Sequence, residues 1–260
     1  MYDFQGKTVL ITGGSTGIGA ALADEVAARG ARVALVARGR AKLDEVAGKI
    51  EKDHGRKVHV FSLDLGADGA AVRLHEAVRA AGLAVDVLVN NAGFGVHGRF
   101  EEQSLQQQHD MVALNVGALV ELTHVFLPEL LERKGGIIQV ASIAGFQPIS
   151  YMPVYAATKA FVISFSEALW AAYRKRGLRV LALCPGATDT QFFERSGEGA
   201  AAGVPKAPPR DVARVGLKAF DRNRSYVIHG AKNYVAVHLS RLLPRELTAR
   251  AGEMISRPRD

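Results

Sequence analysis

The sequence predicts an α/β fold: a doubly wound parallel sheet in a single domain with a C-terminal helical extension. Short apolar runs alternate with longer stretches of helical periodicity along most of the chain, as repeated strand–helix units do. The runs are continuously apolar rather than alternating with polar residues, which marks strands covered on both faces. The first run is followed by a glycine-rich turn, "TGGSTGIG" at 12–19, that opens directly into a helical pattern.

The 260 residues suit one domain. Residues 1–230 are expected to carry the sheet, and 231–260 to be a helical extension of the same domain. Apolar residues make up 48% and charged residues 23%, which excludes a disordered chain. Apolar runs stop short of the roughly 18 residues of a membrane span. The opening "MYDFQGKTVLIT" moves at once into a strand-like run, so no signal peptide is expected. The single cysteine, Cys184, excludes an intrachain disulfide and a Cys-rich zinc site, and suits a reducing cytoplasm. The net charge of +7 is dispersed, without a Lys/Arg block, so a nucleic-acid partner is not expected.

In order, "KTVLIT" (7–12) is β-branched and apolar, and "GIGAALADEVAARG" (17–30) is helical and closed by a glycine. "RVALVA" (32–37) is a second strand and "KLDEVAGKIEKDHG" (42–55) a second helix. Further strands are read at "KVHVFSLDL" (57–65), "VDVLVNNAG" (85–93), "GGIIQVAS" (135–142), "LRVLALCPG" (178–186) and "SYVIHG" (225–230). Helical patterns lie between them near 67–81, 105–132, 153–176 and 209–221. The Gly/Pro-rich stretch 196–209 reads as a mobile loop at the ligand-binding end of the sheet, a lid.

The glycine turn fits two motifs. Gly13-Gly14-Ser15-Thr16-Gly17 matches the G-x-S-x-G nucleophile elbow of hydrolases. The same residues match a turn that brings a pyrophosphate against helix N–H groups. A hydrolase elbow needs earlier strands, and the 12 residues before Gly13 leave no room for them. After the second strand, Ala37 stands where an acid would hold a ribose 2′-hydroxyl, and Arg38 and Arg40 follow. A guanidinium suits a 2′-phosphate in charge and geometry. The plainer alternative is a pair of solvated arginines at a helix start.

"VYAATKAF" (154–161) places Tyr155 and Lys159 one helical turn apart on one face. Together with "TGGSTGIG", "LDL" (63–65), "NNAG" (90–93), Asn115 in "ALNVGA", Ser142 in "VASIAG" and "PGATDT" (185–190), this resembles the short-chain dehydrogenase/reductase family over roughly 5–230. The resemblance implies a Rossmann-type sheet and a catalytic set of Asn115, Ser142, Tyr155 and Lys159. Tyr155 would be the general acid/base and Ser142 would orient the substrate oxygen. Lys159 would tune Tyr155 and hold the nicotinamide ribose, and Asn115 would anchor a water leading to Lys159. Cofactor contacts fall on Gly13, Ser15, Gly17, Ile18, Gly19, Arg38, Asp64, Leu65, Asn91, Gly93, Tyr155, Lys159, Pro185, Gly186, Thr188 and Thr190. Thr188 departs from the Val or Ile common there. An ammonium beside a phenol is expected to lower the phenol pKa from about 10.

The implied activity is NADP(H)-dependent interconversion of a ketone or aldehyde and its alcohol, in the reducing direction. The cofactor carries the hydride chemistry, and the histidines lack metal-ligand spacing, so no metal is expected. Phe94, Val96, Ile143, Phe146, Pro148, Tyr151, Met152, Phe192 and Phe193 are the expected pocket walls, which favours a hydrophobic substrate. A dinucleotide-sensing protein without turnover is the alternative, and the intact Ser–Tyr–Lys set argues against it. The resemblance implies a homodimer or homotetramer. In the tail, Val235, Leu239 and Leu242 form an apolar stripe, continued after Pro244 by Leu247, Ala251 and Met254, among several arginines. Such a segment can dock on its own domain, meet a second subunit, or lie peripherally on an anionic membrane.

Overall fold

The computed structural model describes residues 1–196 and 205–256. Among these residues seven strands form one parallel sheet. They are β1 (Thr8–Thr12), β2 (Arg32–Ala37), β3 (Val58–Ser62), β4 (Val87–Asn90), β5 (Gly136–Val140), β6 (Arg179–Cys184) and β7 (Tyr226–Ile228). Their order is β3-β2-β1-β4-β5-β6-β7. The helices are α1 (Gly17–Ala28), α2 (Arg40–His54), α3 (Ala70–Ala80), α4 (Leu105–Val112), α5 (Leu119–Glu132), α6 (Pro153–Tyr173), α7 (Phe192–Ser196), α8 (Pro209–Asp221), α9 (Ala231–Ser240) and α10 (Arg245–Ser256).

Every residue of β1 is buried, which is why its sequence lacks alternation. Val9 and Ile11 point to one face, where α1, α2 and α8 pack through Leu22, Leu43, Val212 and Phe220. Leu10 points to the other, against Leu74 of α3 and Leu122 and Phe126 of α5. Phe126 and Phe220 are wholly buried, each contributing about 1.5–3 kcal/mol by removal from water.

Strand order reverses between β1 and β4, so the chains leaving these two strands diverge and open a crevice at their carboxyl ends. The opposite end of the pair is pinned by Asp86, whose carboxylate is wholly buried. It accepts from Thr8 N (2.9 Å), Lys7 Nζ (3.2 Å) and Arg133 Nε (3.0 Å), so its charge is matched and its oxygens are occupied.

The seven strand and six helix regions read from the sequence each hold the expected element type, with two notable differences in extent. "LDL" lies past the end of β3, and 105–132 is not one helix: a π-helical segment, Ala113–Ala118, separates α4 from α5. Of the expected lid, 197–204 lies outside the described residues. Its far end, Ala207, is bonded to Ala187 O and Asp189 N, each at 2.9 Å.

Candidate active site

The turn from β1 to α1 floors the crevice. Gly13 and Gly17 adopt φ of 64° and 57°, left-handed values that a side chain disfavours. Space also forbids one. A Cβ on Gly13 would stand 2.7 Å from Asn91 Nδ2, one on Gly17 2.8 Å from Thr190 Cγ2, and one on Gly19 would run into the Gly13 carbonyl. Thr16, at the N-cap of α1, makes no side-chain cap, and the first turn carries no acid. The first N–H groups of α1 are therefore available to an anion, and the glycine backbone lets a diphosphate approach them closely. These residues fit a dinucleotide.

Asn91 braces this turn. Its Nδ2 donates to Thr12 O (2.9 Å) and Gly13 O (3.1 Å), and its N–H donates to Thr12 Oγ1 (3.0 Å). Ser15 is half-buried in the turn, and Ile18 packs against the core beneath it. At the ends of β2 and β3, Arg38 Nη1 lies 3.9 Å from Asp64 Oδ2, with both side chains more than half exposed. Leu65 beside them is buried.

The other wall is α6, which Pro153 starts in its first turn. Tyr155 and Lys159 are both buried on one face of it. Lys159 Nζ donates to Val140 O at 2.8 Å and lies 5.7 Å from the centroid of the Tyr155 ring. Two residues past Val140, Ser142 Oγ accepts from Ala144 N (3.1 Å) and hydrogen-bonds the Tyr155 phenol. Asn115 lies in the π segment. It accepts from Phe94 N (3.1 Å), and donates to Phe94 O (2.9 Å) and Thr158 Oγ1 (3.2 Å). Gly93 fits between Asn115 and Lys159: a Cβ there would be 2.8 Å from Asn115 Oδ1 and 3.7 Å from Lys159 Nζ.

Burial governs the charges. It pushes the Tyr155 phenol up to about 12, against the opposing hydrogen bond of Ser142. It pulls the Lys159 ammonium down to about 8. The expected lowering of Tyr155 by Lys159 does not appear: burial raises the phenol and only the Ser142 hydrogen bond opposes it.

Residues 185–190 connect the two walls. Pro185 O accepts from Ile143 N (3.0 Å), Gly186 abuts the amide of Asn233 in α9, and Thr188 Oγ1 donates to Gly186 O (3.0 Å). Thr190 ends the run against Gly17. On the outer side of Tyr155 lies an apolar cluster of Met111, Ala144 and Met152 with Phe94, Val96 and Phe192. The Phe192 ring centroid is 5.2 Å from that of Tyr155. Two expected walls belong elsewhere: Ile143 and Phe146 pack with Val162 and Ile163 in a separate core cluster.

A model of the short chain dehydrogenase family matches residues 7–201. The chain belongs to this family. It is 36% identical over 187 residues to a very-long-chain 3-oxoacyl-CoA reductase of Anas platyrhynchos, covering 69% of this chain and 59% of the relative. It therefore spans less than two thirds of that relative's length. A solved short-chain dehydrogenase from Sphingobium yanoikuyae in complex with NADPH is 31% identical, with a TM-score of 0.80 over 91% of this chain and 94% of that one. A short chain dehydrogenase/reductase from Burkholderia phymatum in complex with NAD is 25% identical, with a TM-score of 0.83 over 100% and 99%.

At this candidate site, sequence reasoning missed the Val140 carbonyl, Thr158 and the backbone of Phe94. Backbone acceptors carry no residue signature. It also missed Gly95, where a Cβ would press on Phe192, Met152 and Tyr155 within 3.1 Å. A glycine two residues past "NNAG" was the available signal.

Proposed function

We propose that the chain is an NADP(H)-dependent oxidoreductase that reduces a hydrophobic ketone or aldehyde to its alcohol. The observation that carries this reading is the convergence of Ser142, Tyr155 and Lys159 beside an apolar cluster. The bound dinucleotide supplies or accepts a hydride at its nicotinamide ring. It would be held by the Gly13–Gly19 turn, by Arg38, Asp64 and Leu65 at the adenosine end, and by Asn91, Gly93, Lys159 and 185–190 along the rest.

Tyr155 is the general acid. Its proton passes to the substrate oxygen as the carbonyl carbon takes up hydride. Burial keeps the phenol protonated, so it carries a proton to give, as a weaker acid than one tuned near neutral pH. Ser142, fixed by the bond from Ala144 N and hydrogen-bonded to the Tyr155 phenol, would turn its hydroxyl to the substrate oxygen and keep it in line. Lys159 and Asn115 are positioning residues, the first through Val140 and the second through Phe94 and Thr158.

The apolar cluster favours a substrate with hydrocarbon on at least one side of the carbonyl, consistent with the name of the Anas platyrhynchos relative. Arg38 favours the 2′-phosphate; the Sphingobium complex supports this, and the NAD complex from Burkholderia weighs against it. We further propose a homo-oligomer in a reducing, cytoplasmic compartment. The test is absorbance of NADPH and NADH against a panel of aliphatic, aromatic and 3-oxoacyl thioester ketones. NADPH oxidation with apolar ketones is expected, and no oxidation of either cofactor by any carbonyl would overturn the assignment.

A further inference from the structure

The helical pair α9 and α10 has two unlike faces. One is docked beside the candidate site. Val237 is buried with Cys184 and Ile228, and Tyr226 OH lies 3.3 Å from His238 Nε2. The Arg241 guanidinium sits 5.6 Å from the Phe146 ring centroid, and Gly252 meets the backbone at Pro148, where a side chain would not fit. The opposite face is apolar and open to solvent. Tyr234, Val235 and Leu239 are each more than half exposed, and Leu242 is 81% exposed. Every residue from 241 to 247, "RLLPREL", is exposed. The apolar stripe of the sequence is therefore not the side that docks on the domain.

Cations flank this stripe. Lys232, Arg245 and Arg250 are exposed on the same two helices, against Glu246 and Glu253. We propose that this face docks the protein onto an anionic lipid surface, with Leu242, Leu243 and Leu247 entering the interface and the cations meeting headgroups. A second copy of the chain fits less well. A two-fold contact sets a patch against itself, which would bring Arg245 and Arg250 against their own copies. Because α10 touches the 148–149 loop beside the apolar cluster, docking would turn that side of the site toward the bilayer. The docking itself does not depend on the proposed reaction.

The experiment is co-sedimentation of the full chain with vesicles of phosphatidylcholine, alone or with phosphatidylglycerol, at low and raised salt. Wild-type protein is expected to sediment with anionic vesicles at low salt, more weakly at raised salt, and little with neutral ones. Leu242→Glu with Leu243→Glu should abolish binding without shifting the melting temperature, since both side chains are exposed. Arg245→Gln with Arg250→Gln, a second fold-neutral pair, should weaken it by about 25-fold at about fivefold per cation. Failure of wild-type protein to sediment at low salt overturns the proposal. So does binding unchanged in both variants, or a solution oligomer that the leucine variant dissociates while vesicles are ignored.

Discussion

Lys159 donates a hydrogen bond from Nζ to the carbonyl oxygen of Val140, 2.8 Å away, and so ties α6 to the end of β5 two residues before Ser142. The bond sets the spacing between the serine and the tyrosine, and it does so with a buried cation. That cation carries a cost, visible as an ammonium pulled down to about 8.

The first prediction follows from that cost. A lysine whose folded pKa is depressed weakens the native state below pH 8, where both states hold the proton. The penalty fades as pH rises from 8 to the unfolded value near 10.5. At about 1.4 kcal/mol per unit the range is roughly 3 kcal/mol. Lys159→Met is expected to raise stability, without added dinucleotide, most at pH 7 and least at pH 10.5, while lowering turnover. Thermal melts of both proteins across that range are the check; a constant difference would show that the cation is not the cause.

Much of this was legible in the sequence. Strand β2 occupies 32–37, as its apolar run indicates, because a strand covered on both faces reads as an unbroken apolar stretch. The π segment was not legible: one extra residue per turn at Asn115 leaves the apolar spacing of α4 and α5 intact on either side. Five-residue α7 is too short for periodicity to register. The tail shows a related failure. Periodicity revealed the Val235–Leu239–Leu242 stripe, but a stripe names a face and not what lies against it. The docking side is instead made by Val237 and Gly252, which carry no pattern.

A second prediction concerns Tyr155. Its hydroxyl receives the Ser142 hydrogen bond, and its ring packs on Phe192. Tyr155→Phe keeps the ring and removes the donor. Turnover is expected to fall at least about 100-fold, the low end for a general acid, with dinucleotide affinity within about threefold. Single-turnover hydride transfer and cofactor titration measure the two separately. Near-normal turnover would remove Tyr155 from the acid role.

A third concerns Asn115, whose amide serves both backbone groups of Phe94. Asn115→Ala leaves the part-buried N–H and C=O of Phe94 without that partner, at up to about 1–3 kcal/mol for each group that water does not reach. Denaturant unfolding should show a midpoint shift with an unchanged slope. If stability is untouched, the π segment holds its shape without the amide.

The last concerns the choice between the two dinucleotides, which rests on Ala37 and Arg38. Arg38 is exposed and held only loosely, 3.9 Å from Asp64, so its guanidinium is free to turn toward a 2′-phosphate at little cost. Ala37 presents no carboxylate that would repel that phosphate or grip a free 2′-hydroxyl. Losing a charge-assisted contact costs about 1.5–3 kcal/mol, or roughly 10- to 150-fold in affinity. Arg38→Ala should therefore weaken NADP(H) by that factor and leave NAD(H) nearly unchanged, and adding Ala37→Asp should reverse the preference. Asp64 supplies an internal control. Asp64→Asn alters an adenosine contact common to both dinucleotides, so it should change NAD(H) and NADP(H) affinity together and leave the preference between them nearly unchanged. Titration of both dinucleotides into the four proteins decides the matter. Equal wild-type affinities would mean that Arg38 is only a solvated residue at the start of α2.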